Sequence, residues 1–204
     1  MKRIIGVTGG IASGKSNVCR VIKNLGYEVI DSDLIAKELS EKGKVIYNSI
    51  INVFGEEYLD ENKEIDRKKL GKLIFNNSAA KLLLDKATHP YIVEEIKKRL
   101  SVSKNQLIFV DIPLLYDCNL TYLCDKIICV YVDLETQIER LMARDKIEHE
   151  YALSKINSQM SLEKKKELAD FVIDSSKSFE NTEKQVLEII EKLKEKCDGC
   201  SCWN

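Results

Sequence analysis

The sequence predicts an α/β fold: a five-stranded parallel sheet flanked by helices, with two helical insertions. Three observations predict it. Short apolar runs at 4–8, 27–31, 107–112, 126–132 and 170–174 alternate with amphipathic stretches. These runs are rich in Ile, Val, Phe and Tyr, and several are apolar almost throughout, as in strands covered on both faces. The first run leads directly into a glycine-rich segment that ends Gly14-Lys15-Ser16, which in such folds joins a strand to a helix.

Taken in order, the run 4–8 is the first strand. Val18, Val21, Ile22 and Leu25 then keep the i, i+3, i+4, i+7 spacing of a helix that starts at about Lys15 and stops at Gly26. After the second strand, 27–31, the stretch 32–105 is too long for a simple crossover. It holds several helical patterns, with breaks expected at Gly43, Gly55 and the His89-Pro90 pair. Strands follow at 107–112 and 126–132. A helix starting near Asp133 opens a second long stretch, 135–169, helical and dense in charge. The last strand, 170–174, precedes a helix striped by Val186, Ile189, Ile190 and Leu193, with Thr182 and Gln185 expected as its capping box. Strand-helix alternation implies an open parallel sheet whose ligands bind beyond the carboxyl ends of the strands. The expected organisation is one domain: core 1–32, 106–134 and 169–196, a helical insertion 33–105, a lid 135–168 and a tail 197–204.

Composition narrows the function. The 204 residues, 44% of them hydrophobic, suit one domain with a real core. Lys plus Arg is 32 and Asp plus Glu 33, a formal charge of −1. A generic polybasic nucleic-acid binder is therefore excluded, and an anionic ligand must be met by a local cluster of cations. No stretch approaches the roughly 18–20 apolar residues that span a bilayer, and the start of the chain lacks the apolar core of a secretory signal. The cysteines are accordingly expected reduced, in the cytoplasm. Cys19, Cys118, Cys124 and Cys129 fall in apolar stretches and read as core fillers. Cys197, Cys200 and Cys202 form a Cys-x-x-Cys-x-Cys run with no histidine near. An exposed tail accounts for it better than a metal site.

The strongest motif is Gly9-Gly10-Ile11-Ala12-Ser13-Gly14-Lys15-Ser16, a full match to G-x-x-x-x-G-K-[ST] between strand and helix. Glycines let the backbone curl so that its N–H groups converge on phosphate oxygens, and the helix N-terminus adds positive partial charge. Lys15 supplies a mobile charge for the β and γ phosphates, and the Ser16 hydroxyl is placed for Mg²⁺. Asp111 ends the apolar run 107–111 and suits an acid that orients Mg²⁺ or its waters, although a strand-end Asp also serves as a turn cap. Asp31 and Asp33 share one side of an extended chain. A carboxylate there can orient or deprotonate a substrate hydroxyl, or simply cap the helix beginning near Leu34; Asp33, past the strand end, is expected in the first role, and Asp31, still in the strand, is expected to hold Mg²⁺ waters or the loop. Arg140 and Arg144, four apart, form with Lys146 a cationic patch suited to phosphoryl charge; surface pairing with Glu139 or Asp145 is the competing reading.

These motifs, taken together, resemble the dephospho-coenzyme A kinase family from Lys2 to about Lys196. The resemblance is carried by Val7-Thr8-Gly9-Gly10 through Ser16, Asp31-Ser32-Asp33 with Ala36, and Phe54-Gly55-Glu56-Glu57-Tyr58-Leu59-Asp60 leading to Ile65-Asp66-Arg67 and Leu70. It continues through His89-Pro90, Asp111-Ile112-Pro113-Leu114-Leu115-Tyr116, Arg140 through Asp145, Ile156 with Gln159, and Ala169-Asp170-Phe171-Val172-Ile173. The resemblance implies a P-loop kinase fold with a helical substrate-binding insertion and a helical lid. It implies transfer of the ATP γ-phosphate to the ribose 3′-hydroxyl of dephospho-coenzyme A, the last step of coenzyme A synthesis. Carried over by position, it implies a catalytic set of Asp33, Lys15 and Arg140. ATP contacts would come from Gly10, Ile11, Ala12, Ser13, Gly14, Lys15, Ser16, Asn17 and Arg144. Acceptor contacts would come from Thr8, Asp33, His89, Pro113, Leu114, Leu115 and Arg140, with Mg²⁺ at Ser16 and Asp111. The partners implied are ATP and dephospho-coenzyme A, with neither nucleic acid nor membrane, and a monomer is expected. Asn17, Asp117, Lys155 and Asp174 depart from the residues usual in that family (Thr, Glu, Arg and Asn).

From the residues alone, His89 before Pro90 reads first as a helix-boundary residue held by local hydrogen bonds. Two other functions compete: a small P-loop kinase of a nucleoside monophosphate or small alcohol, and a GTPase switch. The switch needs an Asn-Lys-x-Asp run after a strand, and Asn62-Lys63-Glu64-Ile65 lacks both the acid and the strand.

Overall fold

The computed structural model describes the backbone of residues 2–198 and side chains through Lys194, so the run of Cys197, Cys200 and Cys202 lies outside the described residues. The elements run β1 (Arg3–Gly9), α1 (Lys15–Asn24), β2 (Glu28–Asp31), α2 (Ser32–Leu39), α3 (Val45–Phe54), α4 (Arg67–Asn76), α5 (Ser78–Val102), β3 (Leu107–Asp111), β4 (Lys126–Tyr131), α6 (Leu134–Asp145), α7 (His149–Asn157), α8 (Leu162–Leu168), β5 (Phe171–Asp174) and α9 (Phe179–Asp198). The strands form a single parallel sheet in the order β2-β3-β1-β4-β5. The chain divides into two compact units, 31–104 and the remainder.

In the sheet-bearing unit, strand alternation sorts the side chains onto two faces. Ile5 and Val7 of β1, Phe109 of β3, and Ile128 and Val130 of β4 join Val18, Ile22, Val186 and Ile190 in one cluster, so α1 and α9 cover that face. On the other face Cys129 and Val132 pack with Leu162 of α8. β1 has a neighbour on each edge, with Val7 beside Asp111 in one ladder and Ile128 in the other. Cys19 and Cys129 are buried as expected of core fillers, while Cys118 and Cys124 are only partly buried.

Apart from Asp31, which ends β2, and one bridge between Leu59 and Ile65, the regular structure of the 31–104 unit is helical. Ile46, Ile50 and Leu70 form its centre, with Leu39, Phe54, Tyr58, Ile74, Leu84 and Ile92 around them. The break expected at His89-Pro90 is absent: α5 runs through Pro90. Proline cannot donate to the carbonyl one turn back, a local cost of about 3 kcal/mol. Ala80 and Ala87 before it and Ile96 and Leu100 after it are all buried, so packing holds both halves of the helix in place.

The expected capping box of α9 is also displaced. The helix begins at Phe179, Ser178 Oγ accepts from Asn181 N at 3.3 Å, and Thr182 lies inside the first turns. Gln185 instead bridges to β5, accepting from Asp174 N at 2.9 Å and donating to Asp174 O at 2.8 Å. Ser178, nearer the strand, supplies the cap, without the reciprocal Glu or Gln of a capping box.

Phe109 is fully buried, and its ring meets that of Tyr27 edge-on at 5.7 Å between centroids. Phe109→Ala is expected to lower unfolding free energy by about 3–5 kcal/mol, measured by urea denaturation.

Candidate active site

The phosphate loop joins β1 to α1 at the carboxyl edge of the sheet. Gly14 has φ 85°, which disfavours any side chain, and a Cβ there would lie 2.9 Å from Ser175 Oγ. Gly10 is constrained by space alone, since a Cβ would lie 2.6 Å from Gln137 Nε2. Ala12 also takes a positive φ, 59°. Ser13 N donates to Gly10 O at 3.2 Å, and Asn17 N to Gly14 O at 3.0 Å. Ser16 and Asn17 are exposed at the start of α1.

Neighbouring elements hold this loop. Gln137 of α6, itself buried, donates to Ile11 O at 2.7 Å, and Gln159 Oε1 accepts from Ile11 N at 3.3 Å. Ile11 and Ala12 pack against Ile138 and Leu141 of α6 and Ala152 and Ile156 of α7. Ser175, directly after β5, donates to Ser13 O at 2.6 Å. Arg140 of α6 grips Ser175 with two donors, at 3.1 Å to Oγ and 2.7 Å to the backbone oxygen. Its guanidinium thereby lies beside Gly14, with Nη1 3.7 Å from where a Cβ would be.

Lys15 Nζ is ion-paired with the nearly buried carboxylate of Asp111. Cys19 Sγ donates to the other oxygen of Asp111 at 3.3 Å. Burial, reinforced by the Asp111 charge, pushes the Cys19 thiol far above its ordinary value, so it stays protonated. Among the described residues no cluster of three or more His, Cys, Asp or Glu suits a metal ion. Ser16 and Asp111 nevertheless offer hard oxygen donors, which fit an Mg²⁺ that keeps its waters and takes further ligands from phosphates.

Arg140 and Arg144 share a helix but not an environment. Arg144 is half exposed and pairs with Asp145, Nε to Oδ1 at 2.8 Å, while Lys155 meets the other Asp145 oxygen at 2.9 Å. These two cations, Arg144 foremost, hold the Asp145 carboxyl at about 2. The adjacent acid thus satisfies Arg144 locally, while Arg140 turns inward to the loop.

Of the acceptor-side candidates, Thr8 is buried and donates through Oγ1 to Pro113 O at 3.0 Å. Leu114 is partly exposed, and Leu115 is fully buried beside Gly6, so its side chain serves the core. Asp33 and His89 belong to the other unit. Asp31 is the N-cap of α2, accepting from Asp33 N and Leu34 N at 3.0 Å each. Asp33 is exposed in the first turn of that helix. His89 lies within α5 rather than at a boundary, with Nε2 3.5 Å from Asp85 Oδ1 one turn away.

Ser175, Gln137 and Lys165 escaped the sequence analysis. Ser175 carried one usable signal, its place just past the end of a strand, where such folds bind ligands. Gln137 sits in a polar helix and Lys165 in the run Lys164-Lys165-Lys166, where nothing distinguishes either from a solvated residue.

The model of the family described as dephospho-CoA kinase matches residues 3–181. A dephospho-CoA kinase of Carboxydothermus hydrogenoformans is 46% identical over 194 residues, covering 94% of each chain. One from Bacillus cereus is 45% identical, covering 94% of this chain and 98% of the relative. Among solved structures, dephospho-CoA kinase from Campylobacter jejuni superposes with a TM-score of 0.70 at 32% identity, covering 96% of this chain and 98% of that one. Shikimate kinase from Acinetobacter baumannii, with a TM-score of 0.52 at 17% identity and 96% and 95% coverage, shares the fold.

Two outcomes follow from this geometry. Lys15→Ala is expected to lower turnover by about 10²–10³, with an unchanged circular dichroism spectrum on the same sample. Because the Asp145 carboxyl is depressed to about 2, its stabilising contribution is full above the ordinary carboxylate pKa of about 4 and is lost as pH falls toward 2. Thermal melts from pH 6 down to pH 2 should therefore fall less steeply in Asp145→Asn than in the unaltered protein.

Proposed function

The chain belongs to the dephospho-coenzyme A kinase family, and on that premise we propose that it transfers the γ-phosphate of ATP to the ribose 3′-hydroxyl of dephospho-coenzyme A. The products are coenzyme A and ADP, and the hydroxyl proton leaves to a carboxylate or to water. The observation that carries the reading is the convergence of Lys15, Asp111 and Arg140 on a complete phosphate loop, in a chain of that family.

The residues divide the work as follows. The backbone from Gly10 through Ser13 and Gly14, with the start of α1, cradles the phosphates of ATP. Lys15 leaves Asp111 for the β and γ phosphates, exchanging one counter-charge for another. Arg140, already held beside Gly14 by Ser175, faces the negative charge of the transferring group. Arg144 and Asn17 complete the ATP side. Ser16 and Asp111 would hold Mg²⁺, which neutralises charge on the phosphate oxygens when bound. His89, Pro113 and Leu114 receive the acceptor, while Thr8 and Leu115, whose side chains are buried, contribute by holding the backbone there.

Asp33 orients the acceptor hydroxyl and takes its proton, while Asp31 is committed to capping α2. The transition state of phosphoryl transfer is loose, so positioning outweighs full deprotonation. The enzyme acts as a monomer in the cytoplasm. Among the described residues no helix is long and apolar enough to cross a membrane.

The deciding experiment is ATP-dependent conversion of dephospho-coenzyme A to coenzyme A by the purified protein, with AMP, UMP and shikimate as competing acceptors. Preference for any of those three would overturn the reading. Asp33→Asn should lower kcat by about 10²–10⁴ with ATP binding unchanged. Retained turnover in Asp33→Asn together with its loss in Asp31→Asn would exchange the two roles.

A further inference from the structure

We propose that Lys165 is a positioning residue of this reaction: its buried ammonium fixes the segment 113–117 after β3, and with it the seat of the acceptor. The inference rests on the phosphotransfer reading above. The Lys165 side chain is 0% exposed, although Lys164 and Lys166 beside it are exposed. An ammonium is strongly hydrated, and withdrawing it from water is costly unless charge and hydrogen-bond partners replace the water. Its partners are therefore informative.

Lys165 Nζ lies 2.7 Å from Asp117 Oδ2, a charge contact outside hydrogen-bond alignment. It also donates to Pro113 O at 3.4 Å. Asp117 Oδ1 accepts from Met160 N at 2.6 Å, and Pro113 O accepts from Thr8 Oγ1 at 3.0 Å. One cation thus ties both ends of the segment to α8, and the carbonyl at its start is shared with Thr8, the residue just ahead of Gly9. The same segment descends from Asp111, the partner of Lys15.

α8 is a fixed anchor for this tether. Leu162 is buried against Cys129 and Val132, and Tyr131 OH donates to Glu163. Segment 113–117 lies past the carboxyl end of β3, where ligands of parallel sheets bind. A buried ion pair serves stability no better than well-packed apolar residues of similar volume. What this pair adds is a fixed place for a backbone carbonyl and a carboxylate at that edge.

Lys165→Met keeps the unbranched apolar stem and removes the charged end. Steady-state kinetics with ATP and dephospho-coenzyme A varied separately, together with a thermal melt, test the role. The expected result is a rise of about tenfold or more in KM for the acceptor, with KM for ATP changed by less than about twofold. Asp117→Asn keeps the acceptor oxygen for Met160 N but removes the counter-charge, and should move the acceptor KM in the same direction. If Lys165→Met does not fold, the KM split in Asp117→Asn decides. A lowered melting temperature with both KM values unchanged in an active variant overturns this inference alone. No turnover of dephospho-coenzyme A by the unaltered enzyme overturns the phosphotransfer reading, and this inference with it.

Discussion

Lys15 must be charged, poised and close to the protein interior before any phosphate arrives, and Asp111 is what permits this. An ammonium at the start of α1 already faces the positive end of the helix dipole. Without a counter-charge it would be repelled and poorly placed. The carboxylate that answers it comes from a neighbouring strand: the parallel ladder sets Val7 of β1 beside Asp111 of β3. The central position of β1 between β3 and β4 is thus an electrostatic requirement as much as a packing one. Cys19 extends the same arrangement, because its burial keeps the thiol protonated and able to donate to Asp111.

The second requirement is shape. A loop whose backbone N–H groups are to meet phosphate cannot use all of them to brace itself. Here the bracing comes from outside the loop. Gln137 and Gln159 hold the two polar groups of Ile11, and Ser175 holds the carbonyl of Ser13. Arg140 secures Ser175 and in the same pose brings its charge to Gly14. One contact network therefore preorganises both the cradle and the cation beside it, and preorganised dipoles and charges do not have to reorient during reaction.

Buried polar pairs recur at each point where an edge of the site is set. Thr8 with Pro113, Lys165 with Asp117 and Arg140 with Ser175 each hold a residue that lies past a strand end: Pro113 and Asp117 after β3, Ser175 after β5. Apolar packing could fill the same volumes, but it would not specify where a carbonyl or a guanidinium points. Arg144 shows the opposite case: half exposed, it pairs with its neighbour Asp145, which Lys155 also meets, so its charge is answered at the surface.

The strands, the phosphate loop with its exposed Ser16, and the helical character of both long insertions were legible in the sequence, because period, β-branched content and glycine spacing are local properties. The start of α6 at Asp133 was legible for the same reason; a cap was only one of two readings open to Asp31 and Asp33, and the structure gives it to Asp31. Tertiary structure alone decided the rest. Pro90 reads as a break, and only the buried residues on both sides of it carry α5 through. Thr182 reads as a cap, but the helix starts at Phe179 with Ser178 capping it, and Gln185 is drawn to the backbone of Asp174 at the end of β5. Lys165 reads as solvated within a lysine run, and only the approach of Asp117 and Pro113 makes it a buried ion. Arg140 and Arg144 read alike at a spacing of four until one meets Ser175 and the other its own neighbour. A residue type states which contacts it is able to make, but desolvation and partner geometry choose among them, and both come from chain segments distant in sequence.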